Sequence, residues 1–136
     1  MATVRTTYLG NLRTEAEHLQ SGNKIITDAP TDNHGRGEAF SPTDLFAASF
    51  ASCALTIIGI ATQTHGFNID GTVVETTKVM GENPRRVAKL LVNFTFPHNN
   101  YTDKERRVIE ASIKACPVVN SLSPDIEVVK TISYKE

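Results

Sequence analysis

Only two cysteines occur in this chain, and their settings invite thiol chemistry in different ways. Cys53 lies inside an almost charge-free run from Leu45 to Thr64, whereas Cys116 precedes Pro117 just after a charged amphipathic segment. A free cysteine behaves by default as a small hydrophobe, so each position has to be weighed separately. With Pro117 at a first helical position, Cys116 would cap a short helix, where unpaired N–H groups and the helix dipole favour a thiolate. The plain alternative is a small residue at a helix junction. Cys53 would sit well inside its helix, beyond the dipole and among apolar neighbours, so on its own it reads as core. To react it needs a nearby cation. Arg13, after a turn signal, and Arg36, in the stretch leading to the helix, are the candidates.

The elements that must carry these residues follow from local signals. Thr3 to Leu19 is rich in Thr, Val and Tyr and is broken by Gly10-Asn11, which reads as a hairpin turn. A third strand, Lys24 to Asp28, follows the turn residues Ser21-Gly22-Asn23, and Ala29 to Phe40 reads as a loop. Ser41-Pro42-Thr43-Asp44 is a strong helix start, with Ser41 as cap, Pro42 at the first helical position and Asp44 as its reciprocal partner. That helix should run to about His65 and stop at Gly66. Nine residues advance a helix by about 900°, so Asp44 and Cys53 fall on opposite faces and capping is the role expected of Asp44. The helix is long enough for a membrane span, but Ser49, Ser52, Thr56 and Gln63 dilute it and β-structure flanks it. A helix apolar on every side is expected at the centre of a core, not in a membrane.

Ile69 to Met80 alternates as a strand, Gly81 to Pro84 turns, and Val87 to Phe96 returns. Thr102 and Glu105 form a second capping box ahead of an apolar stripe of Val108, Ile109 and Ile113. Pro117 ends that helix at Cys116, and Ile126 to Tyr134 is a final strand. The order β-β-β-α-β-β-α-β implies few parallel crossovers and gives an α+β fold, with antiparallel sheets expected around the long apolar helix in one domain over residues 1–136.

Composition narrows the function. The formal net charge is −1 and basic clusters are short, so nucleic acid is not an expected partner. His18, His34, His65 and His98 never fall within metal-ligand spacing of each other or of a cysteine, so no metal site is expected. No Gly-rich phosphate loop follows a strand, and no basic and apolar leader opens the sequence. A cytoplasmic setting is expected, where a thiol pair serves catalysis or sensing and not a permanent staple.

Ser41-Pro42-Thr43-Asp44-Leu45 leading through Ala-rich sequence to Cys53, and Cys116-Pro117 with a strand after it, together resemble the OsmC/Ohr family of thiol-dependent hydroperoxide reductases. The strand and helix order is similar over nearly the whole chain. The resemblance implies an intertwined homodimer whose long central helices are covered by sheets of both chains. It implies that Cys53 attacks the peroxide and that Cys116 resolves the product. An external dithiol, with lipoyl groups as favoured donors, would then restore the thiols, with no bound cofactor. The implied substrate is a small lipophilic hydroperoxide. Arg13 resembles the activating arginine of the Ohr branch, and Arg36 lies near that of the OsmC branch. Thr43 departs from the pattern: the peroxidases carry a glutamate there that holds the arginine, and threonine brings no charge. The alternative function is a dimeric binding or redox-sensing protein that keeps the thiols without efficient turnover.

Overall fold

A two-residue turn at Asn11-Leu12 organises the first sheet of the computed structural model, which describes residues 1–136. Both turn residues are left-handed, with φ of 54° and 64°, as a tight hairpin following the strand twist requires. Strand β1 (Val4–Gly10) pairs antiparallel with β2 (Arg13–His18), which pairs antiparallel with β3 (Lys24–Asp28). The expected turn at Gly10-Asn11 is thus shifted by one: Gly10 still pairs with Arg13, after a register irregularity beyond Tyr8.

The chain divides into two compact units, Met1–Phe46 and Ala47–Glu136. The first holds the β1-β2-β3 sheet, a 3-10 turn at Thr31–Asn33 and the start of helix α1 (Pro42–His65). The predicted cap is present there in both directions. Asp44 N–H donates to Ser41 Oγ at 3.0 Å, and Ser41 N–H donates to Asp44 Oδ2 at 2.9 Å. Gly66, left-handed at φ 74°, ends the helix where a residue with a Cβ would be strained.

The second unit packs the rest of α1 with β4 (Val73–Gly81), β5 (Arg86–Phe96), helix α2 (Asp103–Lys114) and β6 (Glu127–Tyr134). Its sheet has the order β4-β5-β6, antiparallel between the first two strands and parallel between the last two, with α2 in the crossover. Two helices and two three-stranded sheets make the fold α+β, as expected. Central strand β5 shows why. Leu90, Val92, Phe94 and Phe96 alternate onto one face and are fully buried with Phe50, Ile58, Ile109 and Ile113. Each such side chain contributes roughly 2–3 kcal/mol by burial, which outweighs the ~1 kcal/mol that Gly59 costs inside α1.

Two expectations are corrected. The strand expected from Ile69 begins only at Val73, because Asn68 to Thr72 forms a turn. Asp70 N–H donates to Asn68 Oδ1 at 3.1 Å, Thr72 N–H donates to Ile69 O at 3.0 Å, and Gly71 is left-handed. Nor are both sheets antiparallel throughout, the arrangement expected: β6 runs parallel to β5, because α2 carries the chain back across the sheet between them. On α1, Ala47, Phe50, Ala54, Ile58 and Thr62 form a buried stripe, while Ser49, Ser52, Thr56 and Gln63 lie exposed with Ile60.

Candidate functional site

Cys53 stands in the middle of α1, half-buried, one residue before the stripe position Ala54. Cys116 is delivered by α2. The Thr102–Glu105 capping box starts that helix, with Glu105 N–H donating to Thr102 Oγ1 at 3.1 Å and Thr102 N–H to Glu105 Oε1 at 2.9 Å. Tyr101 anchors its entrance by donating from its hydroxyl to Asn68 O at 3.1 Å, and the Arg106 guanidinium lies 4.1 Å over the Tyr134 ring. With α2 fixed at its start and by buried Ile109 and Ile113, the residue just past its end has a defined place. That residue is Cys116, which is 0% exposed.

The two thiols meet. Burial pushes the Cys116 thiol up from its ordinary value, and a hydrogen bond with the Cys53 side chain pushes it further. The N–H groups of Val119 and Val118 oppose this and are outweighed. Cys116 therefore keeps its proton near neutral pH. This overturns the expectation of a dipole-stabilised Cys116 thiolate. Pro117 is followed only by the 3-10 turn Val119–Ser121, too short to carry a useful dipole, so desolvation wins.

Arg13 and Arg36 belong to the first unit and converge on one carboxylate: Glu38 Oε1 lies 3.0 Å from the Arg13 guanidinium and 3.8 Å from that of Arg36. Arg13 is held much more firmly. Its Nε donates to Asp28 Oδ1 at 2.7 Å and its Nη2 to Asp28 Oδ2 at 2.9 Å. The left-handed Leu12 beside it is fixed from both sides, its N–H donating to the Tyr8 hydroxyl at 3.2 Å and its carbonyl accepting from Ala29 N–H at 3.1 Å.

Asp28 and Glu38 are the residues that sequence reasoning missed. Thr43 at the glutamate position leads to the expectation of a loosely held arginine, yet Arg13 meets two carboxylates from elsewhere. Asp44 serves the helix cap. Hydrogen bonding from Arg13 holds the Asp28 carboxyl below its ordinary range, against the opposing effect of burial. Its stabilising contribution is therefore complete above the unfolded carboxylate range, and is lost as pH falls through the lowered folded value. No group of three or more His, Cys, Asp or Glu side chains could hold a metal ion.

What the thiol pair can do is two-electron chemistry, with one half-buried sulfur and one buried sulfur beside it. A family model described as OsmC-like protein matches residues 35–129, more than half the chain. A crystal structure from Psychrobacter arcticus 273-4, provisionally described as an osmotic stress induced and detoxification response protein, is 51% identical, with a TM-score of 0.91 over 97% of this chain and 96% of that one. An organic hydroperoxide resistance protein from Elizabethkingia anophelis gives a TM-score of 0.75 at 19% identity, over 98% of this chain and 97% of that one. A Legionella pneumophila organic hydroperoxide resistance protein gives 0.69 at 20% identity, over 100% and 98%. These last two share the fold. No curated protein sequence matches the chain.

Proposed function

This chain belongs to the OsmC/Ohr family, and from that membership we propose that it reduces organic hydroperoxides with Cys53 as nucleophile and Cys116 as resolving thiol. The observation that carries the reading is the adjacent thiol pair, half-buried Cys53 beside fully buried Cys116. The half-buried position of Cys53 leaves it open to a substrate, which buried Cys116 is not.

In the first step the Cys53 thiolate attacks the distal peroxide oxygen. An S–O bond forms, the O–O bond breaks, and the departing alkoxide takes a proton to leave as an alcohol. Cys53 is now a sulfenic acid. In the second step Cys116, as thiolate, attacks the Cys53 sulfur; the S–S bond forms and the sulfenic oxygen departs as water. An external dithiol, a lipoyl group among the possibilities, supplies two electrons by exchange and is itself oxidised. The raised Cys116 value makes this cysteine a poor leaving group, contrary to the expectation of an easily departing thiolate. Cys53 is nonetheless the sulfur open to the reductant, so the exchange needs a proton delivered to Cys116 as it leaves.

Likeness to the family offers Arg13 and Arg36 as candidates for the countercharge of Cys53, and Arg13 is the more firmly held of the two. Two carboxylates orient Arg13, whereas Arg36 has one distant contact with Glu38. Consumption of cumene hydroperoxide with a dithiol or lipoyl donor tests the reading. Sustained turnover that needs both thiols supports it. Binding or a single oxidation without turnover would leave the sensing or binding alternative instead.

Assembly is part of the same proposal. Ile60 on α1 is 59% exposed, and Tyr8, Leu9, Leu12 and Phe40 are exposed in the first unit. Such apolar surface suits an obligate homodimer, expected to bury more than about 2,000 Å² in total. Light scattering at micromolar concentration should give twice the chain mass; a stable monomer would contradict this.

A further inference from the structure

Cys53 and Cys116 are the only thiols of the chain, both are free, and both belong to the second unit. They reach each other from different elements, Cys53 from the middle of α1 and Cys116 from just past the end of α2. Sulfurs close enough to share a hydrogen bond are also close enough to be bridged by one atom bonded to both. Such a pair is a soft bidentate ligand, and what it can hold depends on the donors around it. No third His, Cys, Asp or Glu joins the two thiols. The backbone at Cys116 adds only the N–H groups of Val118 and Val119, which donate and cannot ligate. Zinc completes a tetrahedron of four ligands and is poorly served by two. Trivalent arsenic carrying one organic group is different: three bonds saturate it, one to carbon and two to sulfur. Unequal exposure sets the order of capture. Cys53 is half-buried and Cys116 is 0% exposed, so an arsenical is caught at Cys53 and the ring is closed by Cys116. The fold already holds the second thiol in place, so closure is intramolecular.

We propose that the Cys53–Cys116 pair is a chelating site for trivalent arsenicals that carry one organic group. The organoarsenic oxide gives up its oxygen: both S–H bonds and the bonding between arsenic and oxygen break, two S–As bonds form, and the oxygen leaves with the two thiol protons as water. Arsenic stays trivalent, so no oxidant or reductant takes part. The proposal shares the thiol adjacency with the reading above and does not need peroxide reduction. With both sulfurs held by arsenic, neither step of that reduction can proceed.

The test uses the full chain, reduced and freed of reductant, with phenylarsine oxide as the probe. One equivalent should remove both titratable thiols and add the mass of the probe less one water. 2,3-Dimercaptopropanol should release it, and excess 2-mercaptoethanol should not. Cys53→Ser and Cys116→Ala should each weaken binding by at least about 100-fold, the gain that a second linked contact brings. Parent protein alkylated at Cys53 by iodoacetamide should lose as much, a comparison that needs no substitution at buried Cys116. Two arsenicals bound per chain, ready release by 2-mercaptoethanol, or parent-like binding in either variant would overturn the proposal. Zinc ions held by the same two thiols with comparable affinity would overturn the choice of ligand. Capture of phenylarsine oxide by a protein that does not turn over cumene hydroperoxide would refute the peroxidase reading and support this site. Turnover without capture would do the reverse.

Discussion

In a Cys53→Ser variant, single-turnover oxidation by an organic hydroperoxide should fall by at least on the order of a thousandfold, since the attacking atom itself is gone. Cys116 cannot replace it: that thiol is buried, keeps its proton and presents little surface to a peroxide. Cys116→Ser should give the opposite behaviour. It should react once at close to the parent rate and then accumulate a sulfenic acid on Cys53 that dimedone captures, because nothing resolves it. Mass spectrometry of each variant after one equivalent of peroxide reads both outcomes. A reactive Cys53→Ser with an inert Cys116→Ser would reverse the roles, and equal consumption in both would dismiss the thiol mechanism.

Disulfide closure should depend steeply on pH. Cys116 must lose its proton to attack the Cys53 sulfenic acid, and its value is raised by burial. Below that value the thiolate fraction grows about tenfold for each pH unit, so closure should accelerate by about that factor per unit between roughly pH 6 and 8. At the acidic end the sulfenic acid should persist long enough for trapping. The lifetime of the dimedone-reactive form in the parent protein, followed across that range, is the measurement. Closure that is flat with pH would show that Cys116 is released from its buried environment before it attacks.

How much of this was legible in the sequence depends on how local each cause is. The two capping boxes, Ser41 with Asp44 and Thr102 with Glu105, form within four residues, and both lie where the side-chain types put them. The strand expected from Val87 to Phe96 after the Gly81 to Pro84 turn is present for the same reason. Alternation misled at Ile69, where Asn68, Asp70 and Gly71 carried a turn signal that the apolar pattern concealed. The Cys116 expectation failed on a non-local term. Pro117 correctly marked the end of α2, but the packing that buries the thiol comes from residues distant in sequence. Arg13 with Asp28 was recoverable in principle, since a hairpin that pairs Glu17 with Lys24 must also pair Arg13 with Asp28. What the pattern of residue types lacked was any sign that the Asp28 end of the strand would be buried.

The pairing of Cys53 with Cys116 has a consequence for the lifetime of the protein under attack. Between them lie the end of α1, two strands and the whole of α2. A bond closing a loop of that size, about 60 residues, removes unfolded-chain freedom on the order of 4 kcal/mol in the chain-entropy description. The oxidised form should therefore resist heat and proteolysis better than the reduced one. When reductant is scarce the molecule would wait in its most durable state, and regaining its thiols would make it easier to degrade.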